Sequence, residues 1–165
     1  MKYQLDPPVA TIKLDHPQTN NRISEGLAEE LREVCRQLSQ EESINLVVLT
    51  GTGDAFSVGR ASVPADMALE ERVCWVNRLR VSDAVASLPV PVLVALNGDA
   101  LDHGLELALA GDLRIAVAGA KLGITDLAMP EPRFPWDGGT QRLPRLIGPA
   151  WAQDLILTSR IVEAE

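Results

Sequence analysis

Hydrophobic residues recur along the chain at spacings that distinguish strands from helices. Residues 9–15 (VATIKLD) alternate apolar and polar positions, as a strand with one buried face does. Over residues 23–40, apolar residues follow one another at steps of three and four, which predicts an amphipathic helix. Three further segments, NLVVLTG, PVLVALNG and LRIAVAG, are short and almost wholly apolar. Such segments are typical of parallel strands that are covered on both faces.

The order of these segments predicts the fold class. A charge-rich helical region from about residue 68 to 86 precedes PVLVALNG, and we expect that strand to run straight into a Leu- and Ala-rich helix. Two more helical patterns, TQRLPRLIG and PAWAQDLILTSRI, follow the last strand. Alternating strands and helices favour an α/β fold with a parallel sheet and right-handed crossovers. Without a linker or internal repeat, residues 1–165 are predicted to form a single domain.

Composition narrows the function classes. The net charge of -8, without a Lys- or Arg-rich block, argues against nucleic-acid binding. No apolar run approaches a membrane span, and the N-terminal residues lack the pattern of a signal peptide, so we expect a cytoplasmic protein. Cys35 and Cys74 stand alone and are interpreted as small core residues, with no disulfide and no metal site.

Two turns that follow strands carry the candidate chemistry, because ligands of α/β sheets collect where strands end. Residues 50–60 hold a Gly-rich turn, but GTGDAFSVG lacks both the G-x-G-x-x-G spacing and the P-loop lysine, which argues against a nucleotide cradle. In residues 97–112 (NGDALDHGLELALAGD), Glu106 interrupts an apolar helix three residues after His103. That spacing predicts both side chains on one helix face. A cap at Asp102 and solvent exposure of Glu106 remain the non-functional alternative.

Five segments, in order, resemble the crotonase superfamily, the enoyl-CoA hydratase/isomerase enzymes. They are HPQTNNRI, LVVLTGTGDAFSVGRA, PVPVLVALNGDALDHGLELALAGDLRIA, AKLGITDLA and GGTQRLPRLIGPAWAQDLILTSRIVEAE. The resemblance implies a crotonase-like α/β fold with a repeated ββα spiral core. It also implies an acyl-CoA substrate and no further cofactor.

The resemblance assigns roles to individual residues. The backbone N–H groups of Arg60 and His103 correspond to the pair that stabilises a thioester enolate in the family, an oxyanion hole. Glu106 corresponds to one catalytic carboxylate of the hydratases. Asp126 corresponds to the second, although hydratases usually carry glutamate there. Two such acids can divide the proton transfers of hydration between them.

The loop after Asp126 departs from the family because LAMPEPRFPWD is longer and richer in proline than usual. Glu131, Trp136 or Asp137 could therefore replace or assist Asp126. We expect Glu131 and Asp137 to be solvated loop charges and Trp136 to be a pocket wall or core residue.

Coenzyme A binding is implied for the segments around Arg22 and around Ala55, Phe56 and Gly59. The Arg22 guanidinium is suited to phosphate by its fork of donors. The alternatives are a solvated charge at Arg22 and a core anchor at Phe56.

Relatives continue beyond a segment like LTSRIVEAE with helices that close the acyl pocket and contribute to trimer contacts. We expect these C-terminal lid helices to be absent here. The apolar surface thus left open favours association, so a homo-oligomer, a trimer or a dimer of trimers, is expected.

The predicted fold, the candidate residues and the resemblance lead to three hypotheses of function. The first is hydration or isomerisation of an enoyl-CoA, with hydration of a 2-enoyl-CoA preferred. The second is hydrolysis of a thioester or carbon–carbon bond, with the His103 imidazole as general base. The third is a non-catalytic subunit that binds CoA or a protein partner.

Overall fold

The computed structural model describes residues 1–64, 66–128 and 134–165. The strands are β1 (Lys2–Asp6), β2 (Val9–Leu14), β3 (Leu46–Gly51), β4 (Ala55–Val58), β5 (Val92–Leu96), β6 (Asp99–Leu101), β7 (Leu113–Ala116), β8 (Lys121–Gly123) and β9 (Ile161–Glu163). The helices are α1 (Glu25–Leu38), α2 (Leu69–Arg78), α3 (Ser82–Ala86), α4 (His103–Ala108), α5 (Gly139–Ile147) and α6 (Pro149–Thr158). Short 3-10 turns lie at Pro17–Thr19 and Asp126–Ala128.

The strands form two sheets, and the chain passes from one to the other in a repeating order. The first sheet has the strand order β1-β2-β3-β5-β7, and the second has β4-β6-β8-β9. A strand of the first sheet is followed by a strand of the second and then by a helix, as in β5, β6 and α4. Successive repeats pair through parallel strands, β3 with β5 in the first sheet and β4 with β6 in the second. These ββα units confirm the predicted α/β class, although the repeat exists in structure and not in sequence.

The short strands of the second sheet were not predicted. β4, β6 and β8 have only three or four residues. Such short segments do not show enough alternation of apolar and polar residues to be distinguished from the adjoining loops. The prediction that PVLVALNG runs directly into a helix is therefore wrong, because β6 lies between β5 and α4.

The predicted burial of the three apolar strands is confirmed for two of them. β3 and β5 alternate fully and partly buried residues inside the sheet. β7 is the last strand of its sheet, and Leu113 and Ile115 are 62% and 58% exposed. The prediction of a strand covered on both faces is wrong for β7, because no described element packs over these side chains.

Helix α1 follows its predicted periodicity and buries one face in the core. The Ser24 hydroxyl accepts a hydrogen bond from the Leu27 amide and caps the first turn. Ile23 lies before this cap and bridges to Arg60 as an isolated strand pair. Cys35 is buried on the apolar face, as predicted, and its burial raises the pKa of the thiol to about 12.

The helical region predicted over residues 68–86 is divided into α2 and α3. The break occurs where the amides of Val81 and Ser82 donate to a side chain of a distant loop instead of continuing the helix. Cys74 lies on the outer face of α2 and is exposed, so its assignment to the core is wrong. No described helix is both long and apolar enough to cross a membrane.

Gly104 allows α4 to approach β4 closely. A Cβ atom built on Gly104 would lie 1.9 Å from the backbone oxygen of Ser57, which no real contact permits. Gly26, on the exposed face of α1, has nothing within 4 Å of such an atom. The two glycines therefore differ in packing while both occupy a helix.

We predict that Gly104→Ala lowers the free energy of unfolding by about 3 kcal/mol, because backbone must move to admit the methyl group. The matched Gly26→Ala variant is expected to be neutral or to gain up to about 1 kcal/mol from helix propensity. Urea denaturation of the three proteins measures both effects. Equal stabilities of the two variants would contradict the close approach of α4 to β4.

Candidate active site

The pairing of β4 with β6 brings together the two turns that were singled out in the sequence. These strands are parallel neighbours, and the Gly59 amide donates to the Leu101 carbonyl oxygen across 3.0 Å. Arg60 directly follows Gly59, and His103 comes two residues after Leu101. The backbones of Arg60 and His103 therefore leave adjacent strand ends on the same edge of the second sheet.

The amides of Arg60 and His103 are left without an acceptor among the described residues, while the amides beside them are paired. Gly59 donates to Leu101, and Ala61 donates to the Ile23 carbonyl oxygen across 2.8 Å. Asp102 likewise donates to the Gly123 carbonyl oxygen across 2.8 Å. Two free N–H groups on adjacent strand ends are what an anionic oxygen requires.

The turn before His103 has an unusual backbone held by its own side chain. Asp102 has φ 53° and ψ -122°, a region that favours glycine. Its carboxylate makes no cap bond to α4, contrary to the alternative considered from the sequence. It accepts hydrogen bonds from the Thr125 hydroxyl and from the amides of Thr125 and Asp126. These bonds tie the start of α4 to the turn that carries Asp126.

Glu106 lies inside the protein and has well-placed donors. Its side chain is 1% exposed, and Oε1 accepts hydrogen bonds of 2.8 Å from the amides of Asp137 and Gly139. The alternative that Glu106 points to solvent is wrong. Burial raises the pKa of Glu106 above its ordinary value, although His103 and the two amides partly oppose that rise. A raised pKa makes a carboxyl group better suited both to accept and to release a proton.

Asp137 is part of the same buried cluster. The expectation that Asp137 is a solvated loop charge is wrong, because its side chain is 0% exposed. Oδ2 accepts from the amides of Val81 and Ser82 and from the Ser82 hydroxyl, at 2.7 to 2.9 Å. His103 Nε2 lies 3.0 Å from the same oxygen. Four hydrogen-bonding groups around one oxygen replace the water that a surface carboxylate would have.

The protonation of Asp137 follows from these contacts. Burial alone would raise the pKa of Asp137, but the hydrogen bond to His103, the charge of His103 and the donors from Val81 and Ser82 hold it below its ordinary value. Asp137 is therefore ionised at neutral pH. His103 is itself buried, and its Nδ1 atom has no hydrogen-bond partner among the described residues. Asp137 thus joins His103 to Glu106: its carboxylate contacts His103, and its backbone amide donates to Glu106.

Three further predicted residues come from the segment that begins at Asp126. Asp126 is buried in the 3-10 turn at Asp126–Ala128, next to Asp102. Glu131 lies outside the described residues. Trp136 lines a cavity beside Arg60, which agrees with the pocket-wall prediction.

The segments assigned to CoA binding are placed as follows. Arg22 is exposed, and Gly59 has φ +71° at the end of β4. Ala55 and Phe56 are buried, and Phe56 is wholly enclosed as the core-anchor alternative requires. No group of His, Cys, Asp and Glu side chains in the described part of the chain could hold a metal ion.

Asn21 and Ser82 belong to the site region but were not predicted. The fully buried Asn21 amide group donates to the carbonyl oxygens of Thr52 and Ala55, and it thereby fixes the loop before β4. Its position in an Asn–Asn turn was the only local signal. Ser82 gave no signal, because its role depends on Asp137, which is far away in sequence.

Comparisons with known proteins give a consistent result. The family model described as enoyl-CoA hydratase/isomerase matches residues 6–165. YngF of Bacillus subtilis, provisionally named an enoyl-CoA hydratase/isomerase, is 42% identical over 94% of this chain. A crotonyl-CoA hydratase of Syntrophomonas wolfei is 31% identical over 95% of it. The chain spans 60% and 61% of the lengths of these two proteins.

The fold comparison agrees with the sequence comparison. The crystal structure of an enoyl-CoA hydratase from Bacillus anthracis superposes with a TM-score of 0.91 at 40% identity. The match covers 99% of this chain and 64% of that chain. The predicted crotonase-like fold is thereby confirmed.

The raised pKa of Glu106 predicts how stability depends on pH. Between the ordinary glutamate pKa of about 4.3 and the raised value, the folded state binds more protons at this group than the unfolded state does. The contribution of Glu106 to the free energy of unfolding is therefore full below this range and is lost as pH rises through the raised pKa.

Glu106→Gln removes this titration and keeps an oxygen for the two amides. We predict that its stability relative to wild type rises as pH increases above about 4.3. Urea denaturation of both proteins at several pH values up to 8 measures the difference. Asp137 does not interfere, because its lowered pKa acts at lower pH. A difference that stays constant with pH would contradict the raised pKa.

Proposed function

Since this chain belongs to the enoyl-CoA hydratase/isomerase family, we propose that it acts on an acyl-CoA thioester and hydrates a 2-enoyl-CoA. The observation that carries the proposal is the pair of free amides at Arg60 and His103 with the buried Glu106 carboxyl group nearby. Family membership supports an acyl-CoA substrate, and the free amides with the buried carboxyl group support hydration.

The proposed reaction proceeds through an enolate. Water attacks Cβ of the enoyl group, and the negative charge moves to the thioester oxygen. The amides of Arg60 and His103 donate to that oxygen, and the N-terminus of α4 adds its positive dipole end. A fixed donor of this kind contributes about 3 to 4 kcal/mol, judged from the loss of one.

Two protons must move to complete the addition. One leaves the attacking water, and one is delivered to Cα. We assign these transfers to Glu106 and Asp126, which are both buried and whose turns are joined through Asp102. The raised pKa of Glu106 suits a group that takes and gives a proton in one cycle.

Self-association is part of the proposal. Large apolar side chains are exposed on β7 and α6, among them Leu113, Ile115, Trp151 and Leu157. An exposed apolar surface of this kind favours contact with further copies of the chain. We therefore propose a homo-oligomer.

The test is hydration of crotonyl-CoA, followed by loss of the enoyl absorbance. Glu106→Gln is expected to lower kcat by about 10²- to 10⁴-fold, because the amide cannot transfer the proton. Asp126→Asn is expected to lower it steeply as well. The matched control is Glu29→Gln, on the exposed face of α1, with wild-type activity. Glu106→Gln protein that is folded and keeps more than a tenth of wild-type kcat would refute the assignment.

The His103–Asp137 pair favours a second candidate, a thioester or carbon–carbon bond hydrolase. If the Nε2–H of His103 donates to Asp137, the neutral imidazole leaves Nδ1 as a base, and that atom has no partner among the described residues. In a hydrolase, Nδ1 would take a proton from water as the water attacks a carbonyl carbon. The carboxylate would stabilise the resulting imidazolium, the arrangement found in many hydrolases.

The two candidates separate by which variant loses activity. Release of free CoA from an acyl thioester should disappear in His103→Ala and persist in Glu106→Gln if the hydrolase is correct. The hydratase predicts the reverse for crotonyl-CoA. Binding of CoA without turnover of either class of thioester would indicate a non-catalytic subunit.

A further inference from the structure

Arg60 carries a buried positive charge that none of the described residues neutralises. Its side chain is 7% exposed, and Nε and Nη1 have no hydrogen-bond partner among the described residues. Arg78 and Arg142, by comparison, form ion pairs of 2.8 and 2.7 Å with Glu25 and Asp83. An unpaired buried charge is costly, and none of the described residues supplies an anion to Arg60, so the guanidinium is suited to an anionic group of a ligand.

The Arg60 side chain lines a cavity of about 330 Å³ whose walls are otherwise largely apolar. Leu69, Val73 and Val76 of α2 contribute to it, together with Phe134 and Trp136. Arg72 also lines the cavity and donates to the Met67 carbonyl oxygen. None of the described lining residues is acidic. The apolar walls can therefore contact a short carbon chain, and the Arg60 guanidinium can bind a negative charge at the end of that chain.

We infer that the acyl group taken by this site ends in a carboxylate, so that the substrate is the monothioester of a short dicarboxylic acid. This inference rests on the proposed function, because it takes the acyl group to enter the cavity beside the free amides. The planar guanidinium can donate two parallel hydrogen bonds to a carboxylate, which a methyl terminus cannot accept.

The position of Arg60 limits the length of that acid. The amide of Arg60 is proposed to bind the thioester oxygen, and the guanidinium belongs to the same residue. The carboxylate must therefore lie within one arginine side chain of the thioester carbonyl. A five-carbon diacid is a suitable probe for that distance.

The test compares glutaryl-CoA with pentanoyl-CoA, which has the same number of acyl carbons and no carboxylate. Isothermal titration calorimetry should give at least tenfold tighter binding of glutaryl-CoA to the wild-type chain. Arg60→Met keeps an unbranched apolar stem, though a shorter side chain, and removes the charge, and it should abolish the preference. Arg36→Met, on the exposed face of α1, should keep it. Equal binding by wild type, or a preference that survives in Arg60→Met, overturns the inference.

Free CoA and thermal unfolding provide two further readouts. If Arg60 served a CoA phosphate, Arg60→Met would weaken free CoA as much as glutaryl-CoA, and the inference would fail. Without ligand, Arg60→Met should unfold at a higher temperature than wild type, because an unpaired buried charge is removed. A lower unfolding temperature would show that the guanidinium is already paired in the chain, which overturns the inference.

The same preparations distinguish this inference from the proposed function. Hydration of crotonyl-CoA without any preference for glutaryl-CoA refutes the inference and leaves the hydratase standing. A carboxylate preference that depends on Arg60, without turnover of an enoyl thioester, refutes the hydratase and leaves the binding assignment standing.

Discussion

The parallel pairing of β4 with β6 is the contact on which the candidate site depends. It sets Gly59 against Leu101, and both free amides follow within two residues of that pair. Each strand is too short to be stable by itself, so the pairing must be supported from both sides. Asn21 fixes the loop before β4, and the close approach of Gly104 to Ser57 packs α4 onto it. The site is thus a property of packed backbone more than of individual side chains.

Asp137 organises the second half of the site. Its backbone amide donates to Glu106, and its carboxylate receives His103 and the first amides of α3. Asp137 therefore connects α4, the helix that carries Glu106, with the start of α3. Burial drives Glu106 towards protonation, whereas His103 and the donors from Val81 and Ser82 keep the pKa of Asp137 low in spite of its burial. Such divergence between neighbouring acids allows a single site to supply both an acid and a base.

Much of the fold was predictable because its longer helices and strands have a recognisable pattern of apolar residues in the local sequence. The 3.6-residue period of α1 and the apolar runs of β3 and β5 needed no tertiary information. The short strands of the second sheet did, because they are defined by their neighbours. Glu106 could be singled out from local sequence because it is a charge within an apolar helix. Asp137 could not, because its burial depends on distant residues. A loop aspartate between tryptophan and glycine looks solvated until Val81 and Ser82 are placed beside it. The burial of Arg60 was equally invisible, since its amide alone had drawn attention.

The left-handed Asp102 has a consequence for how the site is assembled. Its carboxylate holds the Thr125–Asp126 turn, while its carbonyl oxygen accepts the Glu106 amide. The segments that carry the two acids are thereby fastened to one strained residue. Their separation is fixed when the chain folds, so a ligand need not spend binding energy to draw them together. Partly folded molecules in which the contacts of Asp102 have broken would lose the alignment of both acids at once, so the proposed activity would disappear together with cooperative unfolding.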